Sequence, residues 1–303
     1  MTTEPHSPVR RYAIGTQSFD APALGPGLYI VATPIGNLGD ITIRALSTLA
    51  AAASVLCEDT RTTARLFERY GIRTPLYPYH EHNAAKVRPG ILARLKDGAV
   101  MALVSDAGMP LVSDPGYRLV REAVAQGITV TACPGASAVL TGLALSGLAT
   151  DRFAFLGFLP QKTVERKKLF AEVGGWRSTL IFFESPHRSI DALTDLAAAM
   201  PKREVAMTRE LTKLHEEVLR GTAAEIAAIL EARPSVKGEI TLLVGPPGDE
   251  IELVSEGDLD LAITEAVAAM PASKAAAELS KRFGLAKKDI YARILALKSD
   301  AQT

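Results

Sequence analysis

The sequence predicts an α/β protein with a two-domain layout: a parallel-sheet amino-terminal domain, a mixed-sheet second domain and a small helical appendage. Three observations predict it. From residue 27 onward, short apolar runs alternate with stretches of helical spacing, the order of a parallel sheet covered on both faces. Beyond residue 148 strand candidates outnumber helices, so that sheet is expected to be partly antiparallel. The last forty residues are helical throughout, broken by Pro271 and Gly284.

Residues 1–25, rich in Pro, Ser, Thr and Gly, read as a mobile tail with no signal-peptide core. Residues 27–33 (GLYIVAT) are a first buried strand, and 41–53 a helix for which Asp40 is a suitable cap. Strand 54–57 ends in Glu58 and Asp59; helix 61–70 stops at Gly71. Strand 76–79, helix 84–96, strand 99–104, helix 117–125 and strand 128–132 follow, then a small-residue helix from Ala136. This first domain is expected over 26–147 and the second over 148–247. In the second, 153–158, 179–184, 204–209, 217–221 and 239–244 are strands. Residues 189–200 and 222–232 are helices, the latter opened by Thr222 with Glu225 three residues on, a capping box. Six acids in residues 249–260 mark 248–258 as a solvated linker. Helices at 259–270, 273–283 and 287–297 complete a basic helix-turn-helix-like unit over 259–298.

The most informative segment is 102–116, ALVSDAGMPLVSDPG. An apolar strand stops in a long loop of Ser, Asp, Gly and Pro that feeds a helix. Open α/β sheets place ligands beyond the carboxyl ends of their strands, and ordinary strand-to-helix connections run only about 2–6 residues. The loop is therefore expected to be a ligand site, with an ordinary connection between strand and helix as the alternative.

Formal net charge is zero over 303 residues, so the whole molecule gives no electrostatic sign of a nucleic-acid partner. Local charge offers one: residues 274–298 hold seven Lys or Arg against two acids, which favours phosphate contacts, with a solvated helical hairpin as the alternative. The two cysteines, Cys57 and Cys133, lie in apolar stretches and read as buried free thiols of a cytoplasmic protein. No Cys/His cluster has zinc spacing, and no apolar run is long enough to span a bilayer.

Eight motifs follow one another in order: 29–40 YIVATPIGNLGD, 58–61 EDTR, 80–83 HEHN, 103–116 LVSDAGMPLVSDPG, 134–137 PGAS, 155–160 FLGFLP, 183–188 FESPHR and 209–213 RELTK. Over residues 27–247 the chain resembles the tetrapyrrole methylase superfamily, and within it the branch that methylates small-subunit ribosomal RNA. The basic tail is similar to the helix-turn-helix appendage of that branch. The resemblance implies a homodimer that uses S-adenosylmethionine to methylate the 2′-oxygen of a cytidine in the decoding region of 16S ribosomal RNA, within the small subunit. Many tetrapyrrole enzymes of the superfamily carry Gly-Asp-Pro where this chain has Ser105-Asp106-Ala107, a departure that points away from a corrin or porphyrin.

By that similarity, Ser105, Asp106, Ala107 and Gly108 line the cofactor, with Gly135, Ser137 and Ala138 beside them. Phe183 and Met207 are candidates to pack on the adenine, with plain sheet core as the alternative. Glu239 and Ile240 belong to a segment, 238–241, suited to accept from its amino group. Pro34 is a candidate cleft residue, or part of a tight turn. A 2′-hydroxyl needs a partner for its proton; the candidates are Glu58, Asp59, His80 and Glu81, with Arg61 beside Asp59 either catalytic or in a structural ion pair. His80 and His82 lack a third ligand, so no metal is expected. His187 and Arg188 are candidates to grip a phosphate, with a helix cap and a solvated Arg as the alternative, and Arg209, Glu210 and Lys213 are candidates to line the cleft.

Three rivals differ in what they need. A tetrapyrrole or protein-histidine methylase has little use for the basic tail. A Rossmann enzyme would carry Gly-x-Gly-x-x-Gly after strand one, where this chain reads Pro34-Ile35-Gly36-Asn37-Leu38-Gly39. A non-enzymatic RNA-binding regulator need not bind the methyl donor.

Overall fold

The computed structural model describes residues 10–248, 256–283 and 285–300. Residues 1–9 of the expected tail, 249–255 of the acidic linker and Gly284 lie outside the described residues. The chain divides into two units, Met1–Ala171 with Ser178–Gly245, and Glu172–Arg177 with Pro246–Thr303.

The first unit opens with a hairpin, β1 (Arg11–Ile14) and β2 (Gln17–Asp20), turned at Gly15 with φ +61°. Tyr12 is buried and stacks on Phe19 with ring centroids 5.4 Å apart. Ala13 N–H donates to Tyr70 O at 2.7 Å. This corrects the expectation of a mobile tail for residues 11–20. A glycine in a two-residue hairpin turn is the local signal, masked by the Pro- and Ser-rich composition around it.

The parallel sheet follows: β3 (Gly27–Val31), α1 (Ile43–Ala51), β4 (Ser54–Cys57), α2 (Thr60–Arg69), β5 (Leu76–Pro78), α3 (Glu81–Lys96), β6 (Val100–Leu103), α4 (Tyr117–Ala125), β7 (Val130–Cys133) and α5 (Ala138–Ser146). Strand order is β5-β4-β6-β3-β7, all pairs parallel. β4 is buried along its whole length, as both-face coverage requires. One face packs Val31, Leu49, Val55 and Phe67; the other packs Leu28, Leu56, Leu92, Met101 and Leu119. Both cysteines are buried free thiols. α1 is capped by Thr42, whose hydroxyl accepts from Ala45 N–H at 3.1 Å. Asp40, the expected cap, instead closes a short 3₁₀ turn, Leu38–Asp40.

The mixed sheet is built from β8 (Phe153–Phe158), α6 (Thr163–Val173), β9 (Thr179–Glu184), α7 (Ser189–Ala199), β10 (Val205–Arg209), β11 (Glu217–Gly221), α8 (Ala223–Glu231) and β12 (Ile240–Val244). Its order is β11-β10-β12-β9-β8; only β8 and β9 run parallel. The capping box of α8 is formed as expected. Helix α6 has no counterpart in the sequence reading. α5 leans on this second sheet, packing Val139 and Leu143 against Ile181, Ala206 and Leu243. Both sheets belong to the first unit.

The second unit carries α9 (Glu256–Ala269), α10 (Ala272–Phe283) and α11 (Lys287–Asp300). They share a small core of Ile263, Ala275, Leu279, Phe283, Ile290 and Ile294. Arg293 donates to both carboxylate oxygens of Asp260 at 2.7 Å, tying α11 to α9. Among the described residues no helix is long and apolar enough to cross a membrane.

Candidate active site

In the parallel sheet, β3 and β6 are neighbours, but the chain leaves β3 toward β4 and leaves β6 toward β7 on the opposite flank. Such a reversal opens a crevice at the strand ends. The loops that follow these strands are stitched together. Thr33 N–H donates to Gly108 O at 2.9 Å, and Gly108 N–H donates to Thr33 O at 3.0 Å. Thr33 Oγ1 donates to Ser105 O at 3.1 Å. Gly108 sits at φ +77°, a conformation glycine adopts without strain. Leu111 and Ser113 also have positive φ, +73° and +63°. Strain of that kind concentrates at ligand-holding segments.

The crevice holds a cavity of about 390 Å³. The β6 loop supplies Asp106, Ala107, Gly108, Met109, Val112, Ser113 and Asp114; the start of α5 supplies Ser137, Ala138 and Val139. The mixed sheet supplies Phe158, Phe183, Glu184, Ser185, Pro186, Leu211 and residues 238–241. Phe183 is fixed by edge contacts to Phe155 and Phe158, with centroids 4.8 and 5.4 Å apart. A second cavity, about 460 Å³, is lined by Thr33, Pro34, Gly36, Thr62, Thr63, Arg65, Ser105 and Lys213, among others. The two cavities share Ile35, Asp106, Ala107 and Glu239. Lys213 spans this region, its ammonium 2.7 Å from Glu210 and 3.0 Å from Glu239. Its stem needs Gly36, where a Cβ would come within 2.5 Å of Lys213 Cγ.

Carboxylates crowd one wall. Asp106 Oδ1 accepts from Asp59 N–H at 3.0 Å. Burial pushes the Asp114 carboxyl up to about 6, opposed by a hydrogen bond from Ser105 and aided by the charges of Glu58 and Asp106. Burial, then the charge of Asp106, also raises Glu58, with His80 opposing. Such crowding favours a cationic ligand. On the facing wall Glu184 is 1% exposed. Its Oε1 accepts from Arg188 at 2.6 and 2.9 Å and from Ser185 N–H at 2.6 Å, while Oε2 is buried without a partner. A buried acceptor left open in a cavity wall fits a ligand's N–H.

Of the expected cofactor residues, Asp106, Ala107, Gly108, Ser137, Ala138, Phe183, Glu239 and Ile240 line the first cavity. Pro34 and Ser105 line the second. Gly135 lines neither and lies against Ala32. Met207 is a correction: it is wholly buried in β10. Its neighbour Ala206 packs with α5, and side chains alternate along a strand, so Met207 faces away.

The expected catalytic set is not brought to either cavity. Asp59 caps α2, accepting from Arg61 N–H at 2.8 Å, and pairs with the Arg61 guanidinium at 2.6 Å. That contact holds the Asp59 carboxyl at about 2. His80 precedes α3, its N–H donating to Asn83 Oδ1 at 3.0 Å, and Glu81 is the exposed first residue of that helix. Arg188 is engaged by Glu184. The sequence reading missed Glu184; an acid ending an apolar run, inside FESPHR, was its signal. It also missed Phe158 and the cavity role of Asp114.

Comparison with known proteins agrees with this geometry. Residues 27–227 match the family model for Tetrapyrrole (Corrin/Porphyrin) Methylases, and 254–298 match that for the RsmI C-terminal HTH domain. A Ribosomal RNA small subunit methyltransferase I of Erythrobacter litoralis is 50% identical over 92% of this chain and 98% of its own length. That of Mesorhizobium japonicum is 48% identical over 94% of this chain and 97% of its own. A crystal structure of diphthine synthase shares the fold, with TM-score 0.54 and 17% identity over 72% of this chain and 89% of that one. The chain thus belongs to the tetrapyrrole methylase family, in its ribosomal RNA small subunit methyltransferase I branch.

Proposed function

We propose that the chain transfers a methyl group from S-adenosylmethionine to the 2′-oxygen of a cytidine ribose in the decoding region of 16S ribosomal RNA, within the small subunit. The observation that carries this reading is the pair of cavities, one walled largely by apolar side chains and one by hydroxyls and cations, meeting at Asp106 and Glu239.

The first cavity fits the methyl donor. Its volume of about 390 Å³ lies within the range of roughly 300–1,000 Å³ usual for such ligands. Phe183, Ile240, Val139 and Leu211 offer apolar walls to an adenine, Glu184 Oε2 offers an unused acceptor, and Asp106 offers charge to a cation. Bound there, S-adenosylmethionine supplies an electrophilic methyl group on a positively charged sulfur. The chain's own work is positional. The stitched loops after β3 and β6 fix one wall, Phe158 and residues 183–186 the other, and holding two reactants in register supplies about 7–11 kcal/mol. Asp106, held by the Asp59 N–H, places negative charge in the shared wall, where a ribose hydroxyl would share its proton.

Charge gives this reading a pH signature. Asp114 is ionised above about 6 and neutral below it. The affinity for S-adenosylmethionine should therefore fall about fivefold between pH 7.5 and 5, as one nearby charge is lost. S-adenosylhomocysteine, which lacks the positive sulfur, should change little. Asp114→Asn should flatten the difference; calorimetry across the pH series checks both.

The helical unit adds exposed Lys274, Lys287 and Lys288, suited to phosphates. Changing all three to Gln should leave donor affinity within about twofold. The log–log salt slope for small-subunit binding should fall by about 2.1–2.7, at roughly 0.7–0.9 per lost contact. An unaltered slope in filter binding would contradict the assignment. A homodimer and cytoplasmic residence accompany this reading, and sedimentation velocity tests the dimer. The function itself is tested by incubating the chain with labelled donor and small subunits: label on a cytidine 2′-oxygen of 16S RNA is expected, and label on a base, or none, overturns it.

A further inference from the structure

Helix α2 carries charge that neither the cofactor cavity nor the helical unit uses. Thr63, Leu66 and Phe67 are buried, with Tyr70 just beyond. Arg61, Arg65 and Arg69, spaced by four, fall on the opposite, exposed face. Glu68 is the one acid in the helix. Arg61 is paired with Asp59. Arg65 and Arg69 have no ion pair among the described residues, yet they stand side by side on one helix, a repulsive arrangement unless an anion lies across them. Arg65 is also a wall of the second cavity, with Thr62 three residues before it on the same side of the helix.

That cavity differs in chemistry from its neighbour. Thr33, Thr62, Thr63 and Ser105 give it hydroxyls, and Arg65 and Lys213 give it cations. The Lys213 ammonium is already held by Glu210 and Glu239, so Arg65 is the cation left for a ligand. A phosphodiester strand offers what this wall lacks, evenly spaced anions outside and a ribose hydroxyl to be brought inside.

We infer that the exposed arginine face of α2 is the track for the acceptor strand's phosphodiester backbone. Arg65 and Arg69 hold consecutive phosphates, so that one nucleotide of single-stranded RNA enters the polar cavity and its ribose reaches the wall shared with the methyl donor. This rests on the ribosomal RNA reading above and adds the surface and the cavity that receive the substrate. Arg65 acts as a positioning residue, through the phosphate, and not on the reacting atoms.

The test is the double variant R65Q/R69Q, with R65E/R69E as a stronger form. Both positions are solvent-exposed on α2, so the fold should survive; a donor affinity within about twofold of the unaltered chain confirms that it has. Methyl transfer to small subunits should then show KM raised about tenfold or more by R65Q/R69Q and further by the charge reversal, with kcat changed far less. The log–log salt slope for RNA binding should drop by about 1.4–1.8, the share of two phosphates. If the unaltered chain methylates small subunits and both variants keep its KM and salt slope, the track is wrong and the function stands. If the unaltered chain transfers no methyl group to small subunits, the function falls and the track falls with it.

Discussion

Asp106→Ala is expected to weaken S-adenosylmethionine binding about 10- to 100-fold and to lower methyl transfer by at least as much. Two losses combine. The carboxylate charge disappears from the wall shared by both cavities, and the Asp59 N–H that donates to Asp106 Oδ1 at 3.0 Å loses its acceptor. The hydrogen bond is made with or without the donor and serves to hold the carboxylate in place; the lost charge, roughly 6–10 Å from the sulfonium, is worth about 1.7–2.8 kcal/mol at an effective dielectric of about 20, and each 1.4 kcal/mol is about tenfold in affinity. Asp106→Asn separates the two, since an amide oxygen can still accept from Asp59 while the charge is gone. Binding of S-adenosylhomocysteine, which has no charge on sulfur, should fall less than that of the donor in both variants. Calorimetry with the two ligands measures all of this. Undiminished donor affinity in Asp106→Ala removes Asp106 from the site.

The largest stability effect is expected at Asp195→Ala. Arg166 is 2% exposed at its side chain. Its Nε donates to Asp195 Oδ2 at 2.7 Å, a second nitrogen bonds the same oxygen, and the remaining donors reach Pro160 O, Gln161 O and Thr163 Oγ1 at 3.3–3.4 Å. Removing the carboxylate strands a guanidinium out of water, at a cost of about 3–5 kcal/mol. In a unit of this size each kcal/mol shifts Tm by about 2–4 °C, so a fall of about 10 °C is expected. Replacing both partners by apolar residues of similar volume, Arg166→Met with Asp195→Leu, should cost much less, because no charge is left unpaired. Urea unfolding of the three chains decides it; equal losses in the single and double variants would mean that packing, and not the ion pair, sets the cost.

The same pair shows why α6 was illegible. Its buried stripe is Arg166, Phe170 and Val173, at helical spacing, while apolar Val164 points to solvent. A cation in the buried stripe breaks the periodicity on which sequence reading relies. The parallel strands were legible because burial on both faces makes them continuous apolar runs. The β6 loop was legible as a site because it is too long and too rich in Asp and Gly for a plain connection.

Where the reading failed, the missing information was spatial. Met207 and Ala206 are both apolar, and no local signal says which of two alternating neighbours faces a cavity. Asp59, His80 and Glu81 do follow strand ends, but β4 and β5 sit on the flank of the sheet away from β3 and β7. Strand order comes from pairing across the chain and is not written in any one segment. Glu184 is the converse case, a functional candidate hidden at the end of a core strand, directly after the apolar run 180–183.

The methyl donor is expected to occupy the cavity lined by the β6 loop, the start of α5 and the mixed sheet, and a crystal structure of the chain grown with saturating S-adenosylhomocysteine checks this occupancy. The expected result is density for the ligand between Ala138, Phe183 and Ile240, with an N–H of the ligand on Glu184 Oε2. Density in the polar cavity beside Arg65, or a cavity left empty at saturation, would contradict it.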